Sequence, residues 1–253
     1  MSYSYCNNYK DIVNILESNL FGKNPYNVLQ SRYEQMQSHF LQEYEDEEKC
    51  AIYDIISGQD KKGKLLNDAL LKVPLSDFSG KVSGYKGYFN LGHDLPFWIE
   101  PDNPKGRIML VSQDPLRAHQ KAKDIITLST PFGMHSKEYR NYGYHKTFTS
   151  IVENIVDKGY SVYLTDCHKL FGTKDISGTK SCISNPKDEL ILQEEIKFFS
   201  PCKVFALGHQ AEAALMKLHQ SRVYIPHPTG AHINTGKGNK VNYYVNLILS
   251  SMP

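Results

Sequence analysis

Apolar residues recur along this chain with two different periods, and the change of period divides it near residue 80. Before that point the spacing is helical. Leu29, Tyr33, Met36 and Phe40 fall on one helix face, and the acidic run EYEDEE beyond them reads as a solvated turn. Gly80 to Gly92, rich in glycine and tyrosine, reads as a loop or a small hairpin. These marks predict a helical N-terminal extension over 1–80, packing on a domain over 81–253.

From Arg107 onward short apolar runs alternate with amphipathic stretches. Ile108–Val111, Val162–Leu164, Val204–Leu207 and Val223–Ile225 are strand candidates. Phe148, Ile151, Val152, Ile155 and Val156 form a helical stripe that stops at Gly159. Asn185-Pro186 opens the next helix with proline at its first position, and Pro201 blocks its continuation. Ala211, Ala214, Leu215 and Leu218 make a further stripe, and Val241, Tyr244, Val245, Ile248 and Leu249 make the last. Such alternation predicts an α/β fold: three layers, α/β/α, around a central, mostly parallel four-stranded sheet.

Each strand candidate runs into a polar segment. The first ends in Gln113-Asp114-Pro115, the second in Thr165-Asp166-Cys167-His168, the third in Gly208-His209 and the fourth in Pro226-His227-Pro228-Thr229. Parallel strands share one carboxyl edge, where ligands bind, so Asp114, Asp166 and His227 are expected to converge there. Each has a plain alternative: an Asp after a strand caps a turn, and a His between prolines stiffens a loop. Pro115 adds a restraint, because it pushes Asp114 out of the helical region and so fixes the carboxylate's aim.

Composition adds little. A chain of 253 residues, 40% hydrophobic and 22% charged, suits a soluble globular protein of one large domain or one domain with an appendage. A net charge of +2 leaves any nucleic-acid surface to a local patch. No apolar run is long enough to span a bilayer, and MSYSYCNNYK lacks signal-peptide features, so the expected compartment is the cytoplasm. Five scattered cysteines suggest free thiols, and no metal-type spacing of Cys or His appears.

The order of these segments resembles the uracil-DNA glycosylase superfamily over about residues 107–253. SQDPLR looks like the family's Gly-Gln-Asp-Pro-Tyr-His motif, and STPFG is placed like the segment whose phenylalanine stacks on the extruded base. VYLTDCHKL matches the strand carrying the base-reading asparagine. The stretch from Asn185 to Leu215 is similar to the shared helix–strand–Leu-Gly–helix segment, and HPTGAH resembles the His-Pro-Ser-Pro-Leu-Ser loop. The resemblance implies a monofunctional DNA glycosylase without metal or cofactor, acting as a monomer on single- or double-stranded DNA. In that chemistry Asp114 stabilises the sugar cation and orients water, and His227 donates to the departing base. Phe132 offers a π-face to the flipped base, with Gln113 and Leu116 beside it. Backbone phosphates would meet Arg117, Thr229, Lys237 and Lys240, with His119, Lys121, Lys137 and Arg140 as further candidates.

Three positions depart from the family pattern. Asp166 stands where the asparagine would be; ionised, it only accepts, which suits an edge of two donors and disfavours uracil. Protonated in an apolar pocket, it would mimic asparagine instead. Leu116 replaces a tyrosine that crowds out thymine's methyl group. Ala231 falls on the intercalating leucine and is too small to fill a vacated stack, leaving Ile233 or a single-stranded substrate. Two rival readings remain: an inactive superfamily member that binds nucleic acid or free bases, and an unrelated α/β enzyme acting on a nucleotide or nucleoside. No phosphate-binding glycine loop supports the second.

Overall fold

The computed structural model describes residues 3–5, 8–23, 27–45, 71–115, 122–136, 140, 143–174, 182–183, 185–228 and 239–252. Its centre is formed by the four expected runs. They are β5 (Gly106–Ser112), β7 (Tyr160–Asp166), β10 (Lys203–Leu207) and β11 (Val223–Ile225). β5 is flanked by β7 and β10, β11 lies outside β10, and all three pairings are parallel. Continuous burial along Ile108–Ser112 and Ser161–Asp166, without alternation, is what a sheet covered on both faces requires.

The sheet is larger than the expected four strands. β4 (Phe97–Pro101) pairs antiparallel with β7, and β1 (Tyr3–Tyr5) pairs antiparallel with β4, giving six strands. A second, five-stranded sheet adds to the expected architecture. It runs β2 (Leu71–Pro74), β6 (Ile125–Ser129), β3 (Phe89–Asp94), β8 (Leu170–Thr173) and β9 (Cys182–Ile183). Only half of the Gly80–Gly92 stretch is a loop: a 3-10 turn over Lys81–Tyr85 precedes β3. Mixed pairing of this kind depends on contacts far apart in sequence, which periodicity does not record.

Six α-helices are seen among the described residues. α1 (Tyr9–Leu16) buries Ile12, Val13 and Leu16, and a π-turn at Glu17–Phe21 ends it at Gly22. Gly22 holds φ +70° and abuts Gly80, whose N–H donates to the Phe21 carbonyl at 2.8 Å. A Cβ on Gly80 would collide with the Phe21 carbonyl carbon, so this crossing admits only glycine there. α2 (Val28–Glu45) buries Leu29, Tyr33 and Met36 as its period predicts; the side chain of Phe40 lies outside the described residues. Tyr33 also donates to the Pro96 carbonyl at 3.0 Å, between β3 and β4.

The remaining helices are α3 (Gly143–Asp157), α4 (Asp188–Phe199), α5 (His209–Lys217) and α6 (Lys240–Leu249). All five members of the α3 stripe are buried, and Gly159 at φ +91° lies just beyond it. α4 starts two residues past Pro186, not at it. Asn185 Oδ1 accepts from Lys187 N and Asp188 Oδ2 from Asn185 N, a reciprocal cap that holds the turn before the helix. α4 covers the face of the main sheet bearing Tyr163 and Thr165: Phe199 packs on Tyr163, and Glu195 accepts from Thr165. Alternation therefore sends Val162, Leu164 and Asp166 to the opposite face. No described helix is long and apolar enough to cross a membrane.

Candidate active site at the carboxyl edge of the strands

Two chain crossings build the site. The chain leaves the second sheet at Asp94 and enters the main sheet at Phe97; it leaves the main sheet at Asp166 and enters the second at Leu170. β3 and β8 pair antiparallel with Gly92 opposite Phe171, and His93 Nδ1 donates to the Lys169 carbonyl at 2.6 Å. The two crossings are thus laced together, and Asp94 comes to lie near Asp166. Neither Asp94 nor this lacing is visible in the spacing of the sequence. The one local hint is a carboxylate two residues before Pro96, at the end of an apolar stretch.

Asp166 is only 2% exposed. Ser112, its register partner on β5, donates through Oγ to Oδ1, while Oδ2 is buried with no hydrogen-bond partner. Burial, then the neighbouring Asp94, hold the Asp166 carboxyl well above the ordinary carboxylate range. Ser112 and Lys169 act against this, and Asp114 adds to it. Of the two readings of Asp166, burial favours the protonated one.

Asp114 is half-buried beside Asp166, and the exposed Gln113 donates through Nε2 to its Oδ2 at 2.7 Å. The Gln113 carbonyl accepts from His168 N at 3.0 Å and from the Cys167 thiol at 3.3 Å, tying the ends of β5 and β7. Burial, then Asp166, push the Cys167 thiol up to about 12, so it is a structural clasp and not a nucleophile. Cys167 and Cys202 are free thiols.

Phe132 lies in a 3-10 turn, Pro131–Gly133, at φ 56° and ψ 15°, a left-handed conformation unusual for a bulky residue. Several contacts impose it. Gly133 N donates to Thr130 O at 2.8 Å, His145 Nδ1 donates to the Phe132 carbonyl at 2.8 Å, and the ring stacks on Phe148 with centroids 3.9 Å apart. Burial lowers the His145 pKa, and its bond to the Phe132 carbonyl acts against this. A relay from α2 braces the same turn. Arg32 Nη2 donates to His135 Nε2 at 3.1 Å, which leaves the proton on His135 Nδ1 to donate to Thr130 Oγ1 at 2.9 Å. Periodicity alone assigns Arg32 no role.

His227 reaches the same turn from the far strand. Its ring stacks on Phe132 with centroids 5.5 Å apart and planes at 29°. A Cβ built on Gly208, at the end of β10, would be 3.5 Å from His227 Cβ. Burial, then the ammonium of Lys240, lowers the His227 pKa, so the imidazole is neutral at pH 7 and its N–H donates without carrying charge. The turn also packs against β7. Two pairs are thus in place, Asp114 with Asp166 at the ends of β5 and β7, and Phe132 with His227, with Lys240 near the last.

Arg140 is not a surface phosphate ligand. It is buried, donates to the Met134 carbonyl at 2.7 Å, and burial, opposed by Glu153, lowers its pKa to about 10. Leu116, Arg117, His119, Lys121, Lys137, Thr229, Ala231, Ile233 and Lys237 lie outside the described residues. No group of three or more His, Cys, Asp or Glu suited to a metal occurs among the described residues. No protein-family model matches the chain, and no curated protein matches it.

Proposed function

We propose that this chain is a monofunctional DNA glycosylase that hydrolyses the N-glycosidic bond of a flipped, damaged or deaminated base, with water as nucleophile. The observation that carries the reading is the stack of His227 on Phe132 at 5.5 Å, and the neighbouring ends of β5 and β7, which bring Asp114 near Asp166, add to it. Breaking the bond leaves positive charge on the sugar and negative charge on the base. Asp114, aimed by Pro115 and the Gln113 amide, faces the cation and holds water. A neutral His227 donates to the base oxygen as charge gathers there, and that donation strengthens in the transition state. Phe132 supplies the stacking face and Asp166 the edge that reads the base. Lys240 contributes a phosphate contact, and the partner is DNA bound by a single copy of the chain in the cytoplasm.

One motion is required. The face of Phe132 is covered by the His227 ring at 5.5 Å, whereas a donor to the base oxygen must stand at the edge of the base, near its plane. Substrate entry must therefore swing the His227 loop away from Phe132.

The test is excision from oligonucleotides bearing uracil, hypoxanthine, xanthine or mismatched bases, with abasic sites cleaved by alkali. Wild type is expected to cut at least one substrate, and Asp114→Asn to lose at least about a hundredfold in rate, on the scale of one positioned charge. If neither cuts but both bind, the chain is a binder of nucleic acid, not an enzyme.

A further inference from the structure

In the turn Asp166-Cys167-His168-Lys169, only His168 combines access to solvent with an uncommitted nitrogen. Asp166 is buried against Ser112, the Cys167 thiol donates to the Gln113 carbonyl, and the Lys169 ammonium is held by Thr165 and Glu195. The His168 side chain is 26% exposed. Its Nδ1 lies 3.4 Å from Asp188 Oδ2, and among the described residues its Nε2 makes no hydrogen bond. Asp188, the first residue of α4, is itself held in place: its Oδ1 accepts from Lys169 N and its Oδ2 from Asn185 N, each at 3.2 Å. A carboxylate only accepts, so the imidazole proton stands on Nδ1 and Nε2 carries a lone pair. At 3.4 Å the pair is long, as base–orienter pairs often are outside the transition state. The backbone sets this pair beside Asp114. Ser112 and Asp166 are the last register partners of β5 and β7. Two residues on from Asp166, His168 N donates at 3.0 Å to the carbonyl of the Gln113–Asp114 peptide bond.

We propose that His168 is a further catalytic residue, the general base of the hydrolysis, and that Asp188 is its positioning residue. The proposal rests on the glycosylase reading. As the water held by Asp114 forms its bond to the sugar carbon, the glycosidic bond breaks and its electron pair leaves with the base. The proton of that water passes to His168 Nε2. Asp188 stabilises the imidazolium until solvent takes the proton at the exposed edge of the ring. Asp114 stays an anion facing the sugar cation throughout, so one group holds charge while another moves the proton. The Lys169 ammonium, turned to Glu195 at 2.8 Å, leaves the Asp188 carboxylate to the imidazole.

The test is single-turnover excision by the full-length chain, on the oligonucleotide that wild type cuts, joined to nitrogen NMR of the imidazoles. His168→Gln is expected to lose at least about a hundredfold in rate, with its affinity for the oligonucleotide unchanged. His168→Ala should lose as much and regain rate as free imidazole is added, a rescue open to a missing proton acceptor and not to a misfolded chain. In wild type the His168 ring should carry its proton on Nδ1; in Asp188→Ser the proton should move to Nε2 and excision should slow with it. Excision that survives His168→Gln, a His168→Ala protein that imidazole does not accelerate, or a wild-type ring protonated on Nε2 each overturns the proposal and leaves the glycosylase reading standing. A wild type that cuts no substrate overturns both.

Discussion

Phe132 and Asp166 carry the clearest functional marks at the scale of single residues, because each is held in a state it would not choose alone. A left-handed backbone costs a non-glycine residue about 1–2 kcal/mol, and Phe132 bears it while stacked on both Phe148 and His227. Asp166 has consequences for stability. Its folded pKa is raised by burial first and Asp94 next, so above the ordinary carboxylate range the folded chain binds a proton that the unfolded chain has released. Folding stability therefore falls as pH rises from about 4 through the raised folded pKa, by about 1.4 kcal/mol for each tenfold in proton affinity. Urea denaturation of wild type and Asp166→Asn should show the wild type losing ground with rising pH; parallel curves would contradict the assignment. The strand-end positions of Asp114 and His227 were legible in the sequence because each follows an apolar run and touches a proline. Asp94 was not, since its meaning comes only from a crossing between two sheets.

Elements carry the site as rigid supports, and α4 shows how. Lys169 and Glu195 form an ion pair at 1% and 0% exposure, with Thr165 as third member, clamping α4 to β7 one residue from Asp166. Burial pushes the Glu195 pKa up, and Lys169 opposes it. Removing one partner strands the other, so Lys169→Met should cost about 3–5 kcal/mol in urea denaturation. Lys169→Met combined with Glu195→Leu should recover most of that loss; a double variant no better than the single would mean the pair is not acting as a clamp. The helical stripes were readable because buried faces repeat every turn, and the four parallel strands because full burial makes them continuously apolar. The second sheet was hidden for the opposite reason. β3, FNLGHD, mixes glycine, asparagine, histidine and aspartate, and is a strand only because β6 and β8 flank it.

Over the whole molecule, the N-terminal residues are part of the packing around the site and not only an attached helical piece. β1 edges the main sheet, Ile12, Leu16, Leu20 and Phe21 are fully buried, and Arg32 braces the Phe132 turn. Each large apolar side chain buried contributes about 1.5–3 kcal/mol, and a domain's net stability is about 5–15 kcal/mol. Deleting residues 1–22 should therefore abolish cooperative unfolding, read by circular dichroism on heating; a truncated chain that melts sharply would make this segment dispensable. Parallel strands and two sheet crossings bring Asp94 and Asp114 near Asp166, and a strained turn sets Phe132 against His227. The most direct measurement is a crystal structure of the Asp114→Asn protein with an oligonucleotide bearing its substrate base. The base should lie on Phe132, with His227 swung off that ring, and its edge should meet Asp166. A base bound elsewhere, with His227 still stacked on Phe132, would contradict the proposed site.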